Sequence, residues 1–209
     1  MTATDQQTWN QRYIDGEFGY REPDAFVTEA HTNYLLPLLP AGSAGLDLGG
    51  GAGHHAVWLA QQGWRMTLAD WSEAALAVAR EKAAPLALDH PLATVQGAAL
   101  DVITRFHEQG TAFGFIVVSF FLDRAVLPLL PKVLVPGGLL LYRTYTVDNE
   151  ALGNPRGPRN PEYLLRLQEL LDVYRGMRIL HYNETVANKG VAELIAQSQV
   201  GGLTDLPGV

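Results

Sequence analysis

The sequence predicts an α/β chain: a doubly wound, mostly parallel sheet of seven strands with helices on both faces and a C-terminal antiparallel hairpin. Three observations carry that prediction. Apolar runs of strand length alternate with segments of helical period from residue 25 to residue 146. One of them, Phe113 to Phe121, is the apolar run expected of a central strand covered on both faces. The last two runs, near Met177 to Glu184 and Val191 to Gln197, are joined through Asn188-Lys189-Gly190 in the manner of a hairpin.

Taken in order, Ala25 to Leu39 reads as a helix stopped by Pro40-Ala41-Gly42, and Gly45 to Leu48 is a short buried strand that runs into glycines. A helix from Gly53 to about Gln62 ends at Gly63, and Trp64 to Ala69 is the second strand. Ser72 is placed as an N-cap with Glu73 in the first turn of a helix that reaches about Ala84, which completes a β-α-β unit. Ala93 to Gln96 is a third strand, Phe113 to Phe121 the fourth, and Val126 to Leu134 a helix. Pro136-Gly137-Gly138 makes a turn before the fifth strand, Leu139 to Thr146. A Gly/Pro/Asn-rich loop at 148–160 is long for a compact domain and draws functional suspicion, and Pro161 opens a helix to about Asp172. The chain reads as one domain over 1–198 with a loose tail over 199–209.

Composition limits the function. At 209 residues the chain buries enough surface for a full core without staples, and it contains no cysteine. Disulfides, thiolate zinc sites, iron–sulfur ligation and cysteine nucleophiles are thereby excluded. The six histidines show no metal spacing, and His107-Glu108 lacks the second histidine of a zinc protease motif, so no metal is expected. With 15 Lys+Arg against 22 Asp+Glu the net charge is −7, and no basic run invites nucleic acid. The polar stretch Met1 to Asn10 and the lack of an apolar run of about 18 residues argue against a signal peptide or membrane span. The expectation is a soluble, cytoplasmic protein.

The sharpest signal is "GLDLGGGAGHHAVWLA" at 45–60, where a strand carrying Asp47 opens into Gly49, Gly50, Gly51 and Gly53 ahead of a helix. Glycines allow close backbone approach, and the unsatisfied N–H groups of a first helical turn offer a place for a ligand's polar end. Asp70, at the end of the second strand, suits a ribose diol. Together these suggest a nucleoside. The loop read two residues late, Gly51-x-Gly53-x-x-Ala56, also satisfies a dinucleotide pattern, and a nicotinamide-dependent oxidoreductase is the alternative reading. The negative charge of Asp47 beside the loop opposes a pyrophosphate and favours an ammonium. A ligand with an amino-acid end and a ribose fits better.

With the segment "FGYREPDAF" at 18–26, "LDLGGGAG", "LADWS" at 68–72, "VVSFFLDR" at 117–124, "PGGLLLYRTYT" at 136–146 and "NPEYLLRLQELL" at 160–171, the sequence resembles the class I S-adenosylmethionine-dependent methyltransferases, in particular their tellurite-resistance and thiopurine-methyltransferase-like branch. The resemblance runs from Trp9 to about Ala196 and implies the Rossmann-like methyltransferase fold with S-adenosylmethionine as cofactor. It implies Asp47, Gly49, Gly51 and Gly53 at the methionine end, Asp70 at the ribose and Trp71 beside the adenine. Gly50 in the loop, Gln96 after the third strand and Tyr20 of the entry segment are added as further cofactor candidates. Relatives often carry acids where this chain has Ala98, Gly114 and Arg143. These substitutions keep open a third reading, a non-catalytic protein that retains the fold.

Methyl transfer from a sulfonium needs orientation and exclusion of water more than a covalent residue. A soft S, Se or Te nucleophile needs little deprotonation, while an oxygen or nitrogen acceptor benefits from a base. The acceptor pocket is expected beyond the carboxyl ends of the strands, with Arg21, Ser119, Asp123, Arg124 and Tyr145 as its candidates and the 148–160 loop as lid. Blander roles stand beside these: Asp123-Arg124 as a helix-start ion pair, Arg156 and Arg159 in a solvated loop, and Trp9, Tyr13, Phe18 and Tyr20 as a packing strap. His54 and His55 point about 100° apart on a helix, which assigns them to the surface or the pocket rim. The acceptor is a small molecule on this reading.

Overall fold

The computed structural model describes residues 3–16, 19–152, 157–158 and 160–199. Phe18, Arg156, Arg159, all of the tail beyond Gln199 and the Trp9 side chain lie outside the described residues.

Seven strands form one sheet in the order β3-β2-β1-β4-β5-β7-β6. They are β1 (Ala44–Leu48), β2 (Arg65–Asp70), β3 (Ala93–Gln96), β4 (Phe113–Ser119), β5 (Leu134–Tyr145), β6 (Arg178–Thr185) and β7 (Val191–Gln197). The first five run parallel, and β7 inserts antiparallel between β5 and β6 as the expected hairpin. The helices are α1 (Ala3–Ile14), α2 (Ala25–Ala30), α3 (Leu36–Leu38), α4 (His54–Gln61), α5 (Glu73–Ala83), α6 (Ala99–Glu108), α7 (Asp148–Ala151) and α8 (Glu169–Val173). Among the described residues no helix is long and apolar enough to cross a membrane.

The core lies on both faces of the sheet. Alternate residues of β4 divide between them: Phe115 and Val117 face Leu59, Trp64 and Leu76, while Ile116 and Val118 face Val102, Phe106 and Leu130. Side-chain caps set two helix starts. Asp24 Oδ1 accepts from Val27 N–H at 3.1 Å, and Ser72 Oγ accepts from Ala75 N–H at 3.1 Å.

Several elements depart from the sequence reading. The helix expected over 25–39 holds a wider π-helical turn, His31–Leu35, between α2 and α3. The segment near 126–134 is a 3₁₀ helix, Leu127–Val133, because Pro128 and Pro131 remove backbone donors that an α-helix uses. Pro136-Gly137-Gly138 lies inside β5 as an irregular stretch, with the register shifting opposite Phe113 and Phe115, instead of preceding the strand as a turn. The helix expected from Pro161 reduces to a 3₁₀ turn, Pro161–Tyr163, and α8. Between them Leu165 pairs with Thr146, its N–H donating to Tyr145 O at 2.9 Å. Burial of Leu164 and Leu165 against the sheet outweighs the local helical period. Helices α1 and α6 were not expected.

Candidate cofactor and acceptor site

The carboxyl ends of β1, β2 and β3 carry the glycine loop, Asp70 and Gln96; those of β4 and β5 carry Ser119, Phe120, Arg143 and Tyr145. A parallel sheet brings these ends to one edge, where open α/β sheets bind their ligands, so residues far apart in sequence become neighbours of one candidate cleft.

On the first side, Asp70 organises the loop. Its Oδ2 accepts from Gly51 N–H at 2.9 Å and its Oδ1 from Ser72 N–H at 2.9 Å, which joins the end of β2 to the loop and to the start of α5. Burial raises the Asp70 pKa, and these N–H donors oppose the rise. Each oxygen retains a lone pair for a further donor. Gly53 is the N-cap of α4 at φ 73°, and an added Cβ would meet Ala79 and Leu68 at 2.8 and 2.9 Å.

Asp47 lies under the loop rather than along its surface. It is fully buried, its Oδ2 accepts from Ala56 N–H at 3.2 Å, and Gly50 covers its carboxyl group. Burial pushes its pKa up to about 6, with nearby His55 and the Ala56 N–H holding it back. Trp71 is half-buried, and Gln96 Nε2 donates to its carbonyl at 3.3 Å. Ala98, where relatives often carry an acid, supplies no side-chain cap at the start of α6, and Asp101 lies in that helix's first turn.

Helix α1 closes this side. Asn10 Oδ1 accepts from Ser72 Oγ at 2.9 Å, and Tyr13 Oη sits against Gly51 and accepts the Ala52 N–H. Burial, with Asp70 adding to it, pushes the Tyr13 hydroxyl up to about 12, so it remains a neutral donor. The strap reading of Tyr13 thus becomes a contact with the loop itself; the sequence signal for it was only an aromatic in an N-terminal segment. Tyr20 lies near the loop's second helix instead, with Lys82 Nζ 5.9 Å from its ring centroid. Arg21 is exposed, and its charge lowers the pKa values of Tyr13 and His54.

The second side centres on Asp24, which the sequence reading did not single out. Its Oδ2 lies 3.3 Å from His55 Nε2, 3.0 Å from Arg143 Nη1 and within 3.3 Å of the donating Ser119 Oγ. Arg143 Nε also stands 3.1 Å from Glu193 Oε1 on β7. Burial alone would raise the Asp24 pKa, but His55, Arg143 and the Val27 N–H together hold it well below the usual carboxylate range. His55 is therefore buried, 1% exposed, and not the surface or rim residue that its helical position suggested. Burial, and then His55 beside it, bring the neighbouring His54 down to about 4.

Phe120 follows Ser119 at φ 53°, a left-handed conformation that costs a side-chain-bearing residue about 1–2 kcal/mol. The ring it displays is 42% exposed, lies 4.8 Å from the Tyr145 ring and carries the Arg143 guanidinium 5.0 Å from its centroid. Gly157 approaches Tyr145, so the described part of the 148–160 loop reaches this wall. Asp123 and Arg124 have partners of their own. Asp123 Oδ1 caps Ala125 N–H at 3.1 Å, while Arg124 bonds Glu169 Oε1 and Oε2 at 2.8 and 2.9 Å and the carbonyls of Glu162 and Leu164. Arg124 is a clamp on the C-terminal segment. Gly114 sits near the amino end of β4 against Ser43, far along the strand from the cleft. Among the described residues no cluster of His, Asp and Glu is arranged to hold a metal ion.

The cradle suits a nucleoside with a charged amino-acid end. Among the described residues, Asp47 Oδ1 and Trp71 Nε1 are buried polar atoms without a hydrogen-bond partner, one an acceptor and one a donor. Trp71 Nε1, just past the end of β2, is paired at little cost by a ligand acceptor, whereas Asp47 Oδ1, beneath Gly50, acts on a ligand only through its charge.

Residues 46–138 match the family of the methyltransferase domain. Among solved structures, the fold is similar to TehB from Haemophilus influenzae, with 19% identity, 91% of this chain and 67% of that chain covered, and a TM-score of 0.68. It is similar to the N-methyltransferase NodS from Bradyrhizobium japonicum WM9 at 19% identity over 84% of this chain and 98% of the other, TM-score 0.61. The [4+2]-cyclase SpnF matches equally well, at 18% identity, 94% and 96% coverage and a TM-score of 0.68, so the fold by itself does not name a reaction. No curated protein matches at the sequence level. Residues 46–138 thus carry a match to the methyltransferase domain, set within the fold that the sequence resemblance implied.

Proposed function

We propose that this enzyme methylates a small-molecule acceptor held against the Phe120–Tyr145 wall, with residues 1–198 as its single domain. The observation that carries the proposal is the strained, exposed Phe120 ring at the end of β4, beside the glycine loop's own strand β1. Nothing in the fold core requires that exposure, and an apolar wall at the mouth of a cofactor cleft fits a small, partly hydrophobic acceptor.

In this reading Asp70 holds the ribose hydroxyls, the N–H groups of Gly49 to Gly53 face the methionine end, and Trp71 and Gln96 frame the adenine. Asp47 acts from beneath the loop, through its charge. Tyr13 joins the cofactor set because its hydroxyl already lies on Gly51. Bound S-adenosylmethionine supplies the electrophilic methyl group. Arg143 anchors Phe120 and Tyr145 and Ser119 border the acceptor, while the loop that contains Gly157 excludes water. Soft sulfur, selenium or tellurium nucleophiles are the first acceptors to try. The setting is the cytoplasm, which suits a chain without cysteine.

Calorimetry with S-adenosylhomocysteine, followed by turnover assays on thiols, selenite, tellurite and thiopurines, tests the proposal. Saturable binding and methylated product are expected. Binding of NADH that S-adenosylhomocysteine cannot displace would replace it with the dinucleotide reading, and cofactor binding without methyl transfer to any of these would leave a binding protein.

A further inference from the structure

The cluster at Asp24 spans the cleft from an open end to a sealed one. Ser119 is half-buried at the β4 end, the Asp24 side chain is 23% exposed and the His55 side chain 1%. The Asp24 N–H donates to His55 Nε2 at 3.5 Å, while Asp24 Oδ2 lies 3.3 Å from that same nitrogen. A neutral His55 accepts the first contact through its lone pair. A protonated one donates along the second. The ring can therefore exchange one partner for the other within its present position.

Charge favours the exchange. The groups facing His55 are Asp24 from the segment before α2, Asp47 from β1 and His54 from its own helix. Arg143 from β5 and Glu193 from β7 follow behind Asp24, and Arg21 acts on His54. With His55 neutral, Asp24, Glu193 and Arg143 together carry one net negative charge; a proton on His55 cancels it. Methyl transfer to an acceptor X–H breaks the carbon–sulfur bond with its electron pair left on sulfur, forms X–CH₃ and releases one proton. The sulfonium's positive charge disappears in that step. A proton kept on His55 replaces it, so the cleft's total charge stays constant in a site where uncompensated charge is costly.

Building on the acceptor wall proposed above, we infer that Ser119, Asp24 and His55 form a proton-receiving chain, and that the acceptor class is one that carries a proton on its nucleophilic atom: a thiol, selenol, hydroxyl or amine. The acceptor's proton moves to Ser119 Oγ as the Ser119 hydroxyl proton passes to Asp24 Oδ2 and on to His55 Nε2. Arg143 keeps Asp24 ionised between transfers and serves as a positioning residue. Ser119 is the only one of the three that meets the acceptor.

The test is the number of protons exchanged on binding, measured at pH 7 by calorimetry in two buffers of different ionisation enthalpy. S-adenosylhomocysteine, which lacks the sulfonium charge, is expected to take up on the order of half a proton more than S-adenosylmethionine, and His55→Gln to abolish the difference. Equal uptake by the two nucleosides in the wild-type protein, or a difference that survives in His55→Gln, overturns the inference. Side-chain ¹⁵N shifts of the free protein at pH 6 examine the pair without either nucleoside. The protonated fraction of His55 is expected to fall in Asp24→Asn, and an unchanged fraction overturns the inference as well. Failure of both nucleosides to bind while that fall is seen sinks the cofactor reading and leaves the Asp24–His55 pair standing.

Discussion

On the glycine-loop side of the cleft, Asp70 reaches Gly51 and Ser72 across 19 and 2 residues of sequence, and Asp47 reaches Ala56 across 9. On the proposed acceptor side, Asp24 gathers His55 from 31 residues away and Ser119 from 95. The first side is a local device, a strand, a turn and a helix start whose polar contacts run through backbone N–H groups. The second is assembled by the sheet, from β4, β5, β7 and two helices, with side chains as its polar groups. The difference teaches that the contacts of the glycine loop form wherever this short motif folds, whereas the Asp24 cluster depends on which side chains the strand order brings together.

Four measurements break or sharpen that contrast. The largest effect is expected for Gly53→Val. A β-branched residue at φ 73° against Ala79 and Leu68 combines left-handed strain with overpacking, for a loss of roughly 2–5 kcal/mol in urea unfolding. A loss under about 1 kcal/mol would mean that the loop relaxes freely and is no fixed cradle.

Asp47 comes next. Because its folded-state pKa of about 6 lies above the ordinary 3.8, the folded chain holds this proton more tightly than the unfolded one. The contribution to stability is complete below the ordinary value and is lost as pH rises through about 6. Glu169 has the opposite sign: its pKa is lowered, its stabilisation is present above the ordinary value and fades as pH falls through the folded one. The difference in unfolding free energy between wild type and Asp47→Asn therefore isolates the first effect, with a change on the order of 2–3 kcal/mol between pH 4 and pH 7. A flat difference would place Asp47 in contact with solvent.

Asp70→Ala is expected to weaken S-adenosylhomocysteine binding by about 1.5–3 kcal/mol, roughly tenfold to a hundredfold, as calorimetry would read it. Unchanged affinity would remove Asp70 from the ribose. The smallest stability effect belongs to Phe120→Gly. Releasing φ 53° returns about 1 kcal/mol, partly offset by glycine's unfolded-state entropy. The acceptor KM should rise while S-adenosylhomocysteine affinity holds. If both change together, the two sides of the cleft are not separable.

How much of this was legible in the sequence follows the same division. The β-α-β unit and the closing hairpin stand where the apolar spacing put them, and Ser72 caps α5 as its position before Glu73 suggested. The helix expected from Pro161 failed because Leu165 gains more from pairing with Thr146 than from its own local period. Arg124 looked like a pocket residue from its neighbours in the chain, yet Glu169, 45 residues on, claims it. Asp24 drew no notice in the sequence, and His55 showed only a helical angle.

Local chemistry therefore settled the sheet, its glycine loop and the acids flanking it, because backbone conformation and N–H donors respond to residues a few positions away. Tertiary structure alone decided that Tyr13 lies on the loop, that Phe120 is held open under strain, and that Asp24, His55, Ser119, Arg143 and Glu193 meet. Contacts of that kind depend on strand order and register, and no short window of sequence contains either.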